Sequence, residues 1–177
     1  MMAELTSGMH PVAGVGAAPQ RTAALWPVVA SLPRKTPLTE REHAAALREL
    51  KLAAVAMRRK ILYLGYTNRI TLHYGALLGM TEIMTILYLH WLRVRPDDPG
   101  WPERDRFVLS KGHGAPAWYV ALWMAGFISD RHFDGFRRLH SIRQGHPDRL
   151  KTPGVEASSG SLGQGIGVAC GMALAAK

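Results

Sequence analysis

Apolar side chains return at three- and four-residue spacings along Leu47, Leu50, Ala54, Met57, Ile61 and Leu64, which predicts one long amphipathic helix with this face buried. Thr39 stands ahead of it with Glu42 three residues on, a capping-box pattern that starts the helix at residue 40. Gly65 is expected to end it, close to residue 64. A second helix is expected over 81–92, stopped by the turn residues Arg95-Pro96-Asp97-Asp98-Pro99-Gly100. Residues 106–110 make a short β-like run, and Lys111-Gly112-His113-Gly114 makes a turn into an apolar helix over 115–125. Strand, glycine turn, helix is the element order of an α/β nucleotide-type fold. Phe133, Phe136 and Leu139 share one side of a further amphipathic helix expected over 130–139, and the Ala-rich run 166–176 makes a last one.

Residues 1–39 carry Gly, Pro, Ala and Ser without a sustained period and are expected to be a disordered extension ahead of a unit spanning 40–177. The apolar stretch 23–30 faintly resembles a signal-peptide core, but Pro27 breaks it and no basic segment opens the chain. With 177 residues, 47% of them hydrophobic, the chain has enough for one domain with a real core and too little for two. The net charge of +9 raises nucleic acid, anionic membranes and phosphorylated small molecules as partners. Because the basic residues are spread out, with small clusters only at 58–60 and at Arg137-Arg138, charge alone decides nothing. No recognition helix, zinc pattern or aromatic stacking motif supports nucleic acid. No apolar run approaches the ~18 residues that a bilayer demands, so no membrane partner is expected. Cys170 is the sole cysteine, which excludes an intrachain disulfide and a thiolate-rich metal site; its neighbours make it a small buried hydrophobe.

The stretch 155–167, VEASSGSLGQGIG, places glycines and hydroxyl residues in front of an apolar helix. The first turn of such a helix has unpaired N–H groups and the positive end of the helix dipole, and glycine lets an anion approach the backbone. Three of the eight histidines, His73, His113 and His146, stand in glycine-bounded turns. His10, His43, His90, His132 and His140 have no neighbouring glycine and read as surface or packing residues. No pair has the H-x-x-x-H spacing of a metal site, so no metal ligand is assigned.

In order and spacing, FVLSKGH (107–113), QGHPD (144–148) and TPGVEASSGSLGQG (152–165) resemble the N-terminal, diphosphate-binding part of transketolases, above all split forms whose halves are separate polypeptides. The resemblance runs from about residue 50 to 177. It implies the thiamine diphosphate-binding, Rossmann-like α/β fold, with only the N-terminal part of that domain present. It also implies transfer of a two-carbon ketol unit between phosphorylated sugars by a cytoplasmic enzyme. Thiamine diphosphate and Mg²⁺ are the implied cofactors. The cofactor's thiazolium carbon adds to a ketose and stabilises the charge left when the carbon–carbon bond breaks.

Residue by residue, His113 matches the histidine that contacts the diphosphate. Gly160, Ser161 and Leu162 match the loop that borders the thiamine. His73 matches the substrate-binding histidine of the family's GHPG turn, although the turn here reads Leu72-His73-Tyr74-Gly75. His146 matches the histidine of the GHPE turn at the donor-sugar hydroxyls, with Asp148 in place of the glutamate, and Lys111 replaces an asparagine common in full-length forms. The Gly-Asp-Gly motif and following asparagine that hold Mg²⁺ in the family have no counterpart here, and the glutamate that activates the aminopyrimidine belongs to the family's other, pyrimidine-binding domain. A pyrimidine-binding C-terminal section or subunit is therefore the implied partner, in a homo- or hetero-oligomer. The competing expectations are a 1-deoxyxylulose-5-phosphate synthase-like enzyme and a truncated, non-catalytic fragment that acts only by association.

Overall fold

The computed structural model describes residues 38–132 and 135–177. The expected 1–39 extension, residues 38 and 39 apart, and Phe133 of the expected 130–139 helix lie outside the described residues.

Helix α1 is Glu40–Asn68. Thr39 opens it as its sequence predicts: the hydroxyl accepts from the Glu42 N–H at 3.3 Å and the Glu42 carboxylate accepts from the Thr39 N–H at 2.9 Å. The Thr39 hydroxyl, and then its N–H, hold the Glu42 carboxyl below the usual carboxylate range. Ala54, Met57, Ile61 and Leu64 are buried, but Leu47 is 43% exposed, because the inward face is centred on Ala46, Ala53 and Met57. Gly65 does not stop the helix. A Cβ there would run into Tyr74 Oη and lie 3.3 Å from Leu72 Cδ1, so glycine serves the close approach of the next segment. The stop falls at Arg69, whose left-handed backbone, φ 51°, turns its N–H onto the carbonyls of Gly65 and Tyr66.

Helix α2 is Tyr74–Leu78 and helix α3 is Thr81–Ile86. The helix expected over 81–92 widens into a π-helical turn at Leu87–Trp91. A 3₁₀ turn, Gly112–Gly114, leads into helix α4, Ala115–Met124, in which every residue is buried. Helices α1 and α3 pack on α4, and Leu77, Met84, Leu109, Ile128 and Phe136 complete the core. Each large apolar side chain fully buried there contributes about 1.5–3 kcal/mol.

No strand forms among the described residues, so the sheet half of the α/β expectation is not seen. A strand exists only where a neighbour takes its N–H and C=O groups, and 106–109 have no ladder partner among the described residues. Phe107 instead packs edge-on against Tyr88 and Trp118, with ring centroids 5.8 and 5.2 Å away.

The helix expected over 130–139 is also corrected. A 3₁₀ turn at Asp130–His132 is followed by left-handed residues, Gly135 at φ 85°, Arg137 at φ 63° and His140 at φ 62°, which no α-helix accommodates. Phe136 is buried while Leu139 is 85% exposed.

Helix α5 is Gln164–Ala175. Only Gly165 in it is buried, and Cys170 is exposed, against expectation. A helix apolar on every side has no face marked for the core, and only its first turn rests on the rest of the chain: a Cβ on Gly165 would stand 2.7 Å from Ser110 Cα. No helix among the described residues is long and apolar enough to cross a membrane.

Candidate active site

Four chain segments far apart in sequence meet above the N-terminus of α4. His73 lies immediately before α2, and its carbonyl accepts from the Leu77 N–H at 3.1 Å. Lys111 Nζ donates to the Ala76 carbonyl at 3.4 Å, tying α2 to the 3₁₀ turn that carries His113. His146 stands in a turn whose carbonyl accepts from the Tyr119 hydroxyl at 3.0 Å. The next carbonyl, that of Pro147, accepts from the Ser159 N–H at 3.3 Å and so joins this turn to the glycine loop.

The three histidines form a row. The His73 and His113 ring centroids are 4.9 Å apart with planes at 84°, and those of His113 and His146 are 5.6 Å apart with planes at 80°. All three side chains are exposed. Gly112 makes the approach possible: a Cβ there would meet His146 Cδ2 and lie 2.9 Å from Gly160 Cα. Gly163, at φ 88°, turns the loop into α5, and its N–H donates to the Ser110 carbonyl at 2.9 Å. That conformation favours glycine. No side chain caps α5 and no acid lies in its first turn, so the positive helix end faces the loop uncompensated. Gly160 is half-buried, while Ser161 and Leu162 are exposed, Leu162 at 70%.

Two hydroxyls at this junction, Ser110 Oγ and Ser159 Oγ, are buried without a hydrogen-bond partner. An orphaned buried polar group costs about 1–3 kcal/mol, which a polar ligand relieves. Orphaned hydroxyls, a histidine row and a glycine-rich helix entry fit a diphosphate-bearing cofactor. They do not fit a divalent cation in the same way. Among the described residues no group of three histidine, cysteine or acidic side chains is placed to hold a metal ion. Asp148 is turned to Lys151 at 3.6 Å and to the Leu150 N–H at 2.9 Å.

Beside His146 opens a shallow pocket of about 520 Å³ lined in part by Arg137, Gln144, Asp148 and Ser158. The Arg137 guanidinium lies against Gly145, where a Cβ would come within 3.1 Å of its Nε. Sequence reasoning noted Arg137 only as part of a small basic cluster; its left-handed backbone, which brings it to this pocket, has no sequence signal in a non-glycine residue. The other histidines stay apart from the row. His43 and His140 are exposed, His90 is half-buried, and His132 sits against Ser129 Oγ at 3.0 Å, with burial and then Arg131 and Arg143 lowering its pKa. His10 lies outside the described residues.

The profile of the transketolase thiamine diphosphate binding domain matches residues 53–177. Over 106 residues the chain is 49% identical to transketolase 2 of Xanthobacter flavus, covering 59% of this chain and 15% of that one. It is 44% identical over 129 residues to one of the subunits of the apulose-4-phosphate transketolase of Actinobacillus succinogenes, covering 73% of this chain and 47% of that one. It is 44% identical over 105 residues to the 6-deoxy-6-sulfo-D-fructose transketolase subunit SqwG of a Clostridium species, covering 59% and 38%. Among solved structures, transketolase from Leishmania mexicana superimposes with a TM-score of 0.67 at 37% identity over 71% of this chain and 19% of that one. The chain thus spans less than half the length of these relatives.

Proposed function

The chain belongs to the transketolase family, and from that premise we propose that it is the diphosphate-binding part of a thiamine diphosphate-dependent enzyme moving two-carbon ketol units between phosphorylated sugars. A pyrimidine-binding C-terminal section or subunit completes it, in a homo- or hetero-oligomer in the cytoplasm. The convergence of His73, His113 and His146 on the glycine loop at Gly160 carries this assignment. Two relatives named as transketolase subunits support the divided arrangement.

Bound thiamine diphosphate supplies a nucleophilic thiazolium carbon and a sink for the electrons released when a ketose carbon–carbon bond breaks. His113 donates to the diphosphate from the turn at the head of α4. The backbone of Gly160 and Ser161 borders the thiamine, and Leu162 packs on it. His73 and His146 hold the sugar hydroxyls and move protons there, since imidazole titrates near neutrality. Arg137 offers a planar, permanently charged fork to a sugar phosphate in the pocket beside His146. A Mg²⁺ bound with the diphosphate would need ligands beyond any cluster the described residues form. A second reading is association with a partner and no catalysis, which turnover of the assembled complex separates from the first.

Titration with thiamine diphosphate and Mg²⁺, in the chain assembled with its pyrimidine-binding partner, tests the roles. His113→Ala is expected to weaken cofactor binding by roughly 1.5–3 kcal/mol, or about tenfold and more. His73→Ala is expected to lower turnover with cofactor affinity nearly unchanged. The reverse pattern refutes the assignment. Arg137→Ala is expected to raise KM for a phosphorylated sugar about tenfold and leave KM for an unphosphorylated analogue in place. Equal effects on both sugars would remove Arg137 from phosphate binding.

A further inference from the structure

Helix α4 is apolar and wholly buried, so each polar atom it carries inward must find a partner. Trp118 Nε1 donates to the Tyr88 hydroxyl and Trp123 Nε1 donates to Asp130 Oδ1 at 2.9 Å. Both of these pairs end on side chains. Tyr119 also reaches the backbone: beside the Thr152 side chain and the Gln144 main chain, its hydroxyl donates at 3.0 Å to the carbonyl of His146, in the turn that carries an exposed member of the histidine row.

The Tyr119 side chain is itself fully enclosed. It is 0% exposed and packs edge-on against Phe136, with centroids 6.1 Å apart. Burial, foremost, pushes its phenol well above the usual tyrosine range, so the group is a permanent donor. The His146 ring is exposed on one side and rests on His113, Gly112 and Gly160 on the other, so its place depends on its backbone as well as on those contacts. Its position therefore depends on what grips the 145–147 turn, namely the Tyr119 hydroxyl on one carbonyl and the Ser159 N–H on the next. Tyr119 is also six residues beyond His113, on the helix that His113 introduces, so one element carries both contacts to His146.

We propose that Tyr119 is a positioning residue: by holding the His146 carbonyl, its hydroxyl sets the His146 imidazole beside His113 at the spacing the donor sugar requires. The proposal rests on the reading of His146 as a donor-sugar contact. It assigns Tyr119 no contact with the cofactor and no part in proton transfer.

Tyr119→Phe keeps the ring and removes only the hydroxyl. In the full 177-residue chain, histidine imidazole NMR signals, with His146 identified by its loss in His146→Gln, report the position directly. Tyr119→Phe is expected to shift and broaden the His146 signals while His43 and His140 stay in place. Tyr88→Phe, which removes another buried phenol hydroxyl, is expected to leave His146 unmoved. Incorporating 4-aminophenylalanine at position 119, which restores an N–H donor, is expected to return His146 toward its parental signals. Unchanged His146 signals in Tyr119→Phe, an equal change in Tyr88→Phe, or a Tyr119→Phe chain that no longer folds each overturn the proposal.

In the assembled enzyme, Tyr119→Phe is expected to raise the donor-sugar KM about three- to tenfold, the size of one neutral hydrogen bond, with cofactor affinity unchanged. If His146→Gln leaves donor KM and kcat untouched, the substrate role of His146 fails. If His146→Gln raises KM and Tyr119→Phe does not, the positioning role alone fails.

Discussion

Purified alone, the 177-residue chain is expected to show no measurable ketol transfer, and turnover is expected only after a pyrimidine-binding chain is added with thiamine diphosphate and Mg²⁺. The physical ground is that the described residues form one wall of a site. The histidine row is exposed, whereas charge stabilisation in such chemistry depends on excluding water and fixing dipoles around the reacting atoms. A hard cation on a diphosphate needs several oxygen ligands, and no metal-holding group is assembled among the described residues. The apolar surface around the loop, with Leu162 70%, Ile166 65% and Leu174 69% exposed, has nothing described to cover it. A coupled assay of the chain with and without a partner measures this. Turnover by the chain alone would refute the division of labour, and an assembled complex that binds cofactor yet never turns over would favour the association-only reading.

Glu156→Ala is expected to lower the free energy of unfolding by about 1–3 kcal/mol, the range for removing one partner of a partly buried charged hydrogen-bonded pair. Glu156 accepts from Arg104 Nε at 2.9 Å and Nη2 at 2.7 Å, a two-pronged pair whose side chains are only 16% and 10% exposed. Arg106 stands 3.9 Å away and Arg104 Nη1 also donates to the Trp101 carbonyl at 2.8 Å. Truncation leaves that guanidinium desolvated with its main acceptor gone. Since Ser159 and Gly160 follow within four residues, the glycine loop should loosen too, and cofactor affinity should fall with stability. Denaturant unfolding of the variant checks the first effect. A loss well under 1 kcal/mol would mean that water replaces the carboxylate, as at an exposed pair.

Much of the site was legible because its signals are local. Thr39 and Glu42 cap each other across one turn, so spacing alone specified the start of α1. The glycine-rich entry to α5 was readable because Gly163 needs a left-handed backbone there. His73, His113 and His146 were separated from the other histidines by their flanking glycines, and these are the three that meet.

Where local rules misled, a tertiary contact had overridden them. Gly65 looked like a stop, yet it is glycine because Tyr74 and Leu72 press on it. The spacing of Phe133, Phe136 and Leu139 suggested a helix, but Arg137 and His140 take left-handed backbones. Cys170 looked buried because its neighbours are small and apolar, although composition cannot say whether anything covers a helix that is apolar all round.

By itself, then, the sequence determined the family, the long first helix with its cap, and the glycine and histidine turns proposed to carry the chemistry, because each depends on residues within a turn or two of one another. Only the tertiary structure decided that the three histidines stand in a row, that Gly112 must lack a Cβ to let His146 and Gly160 close in, and that Arg137 and Tyr119 lie against the His146 turn. Apart from Arg137, which reaches Gly145 across a left-handed backbone, those facts depend on contacts between residues 27 to 48 apart, from Tyr119–His146 to Gly112–Gly160. No local periodicity encodes them, since they follow from how α1, α3 and the loops pack around the buried helix α4.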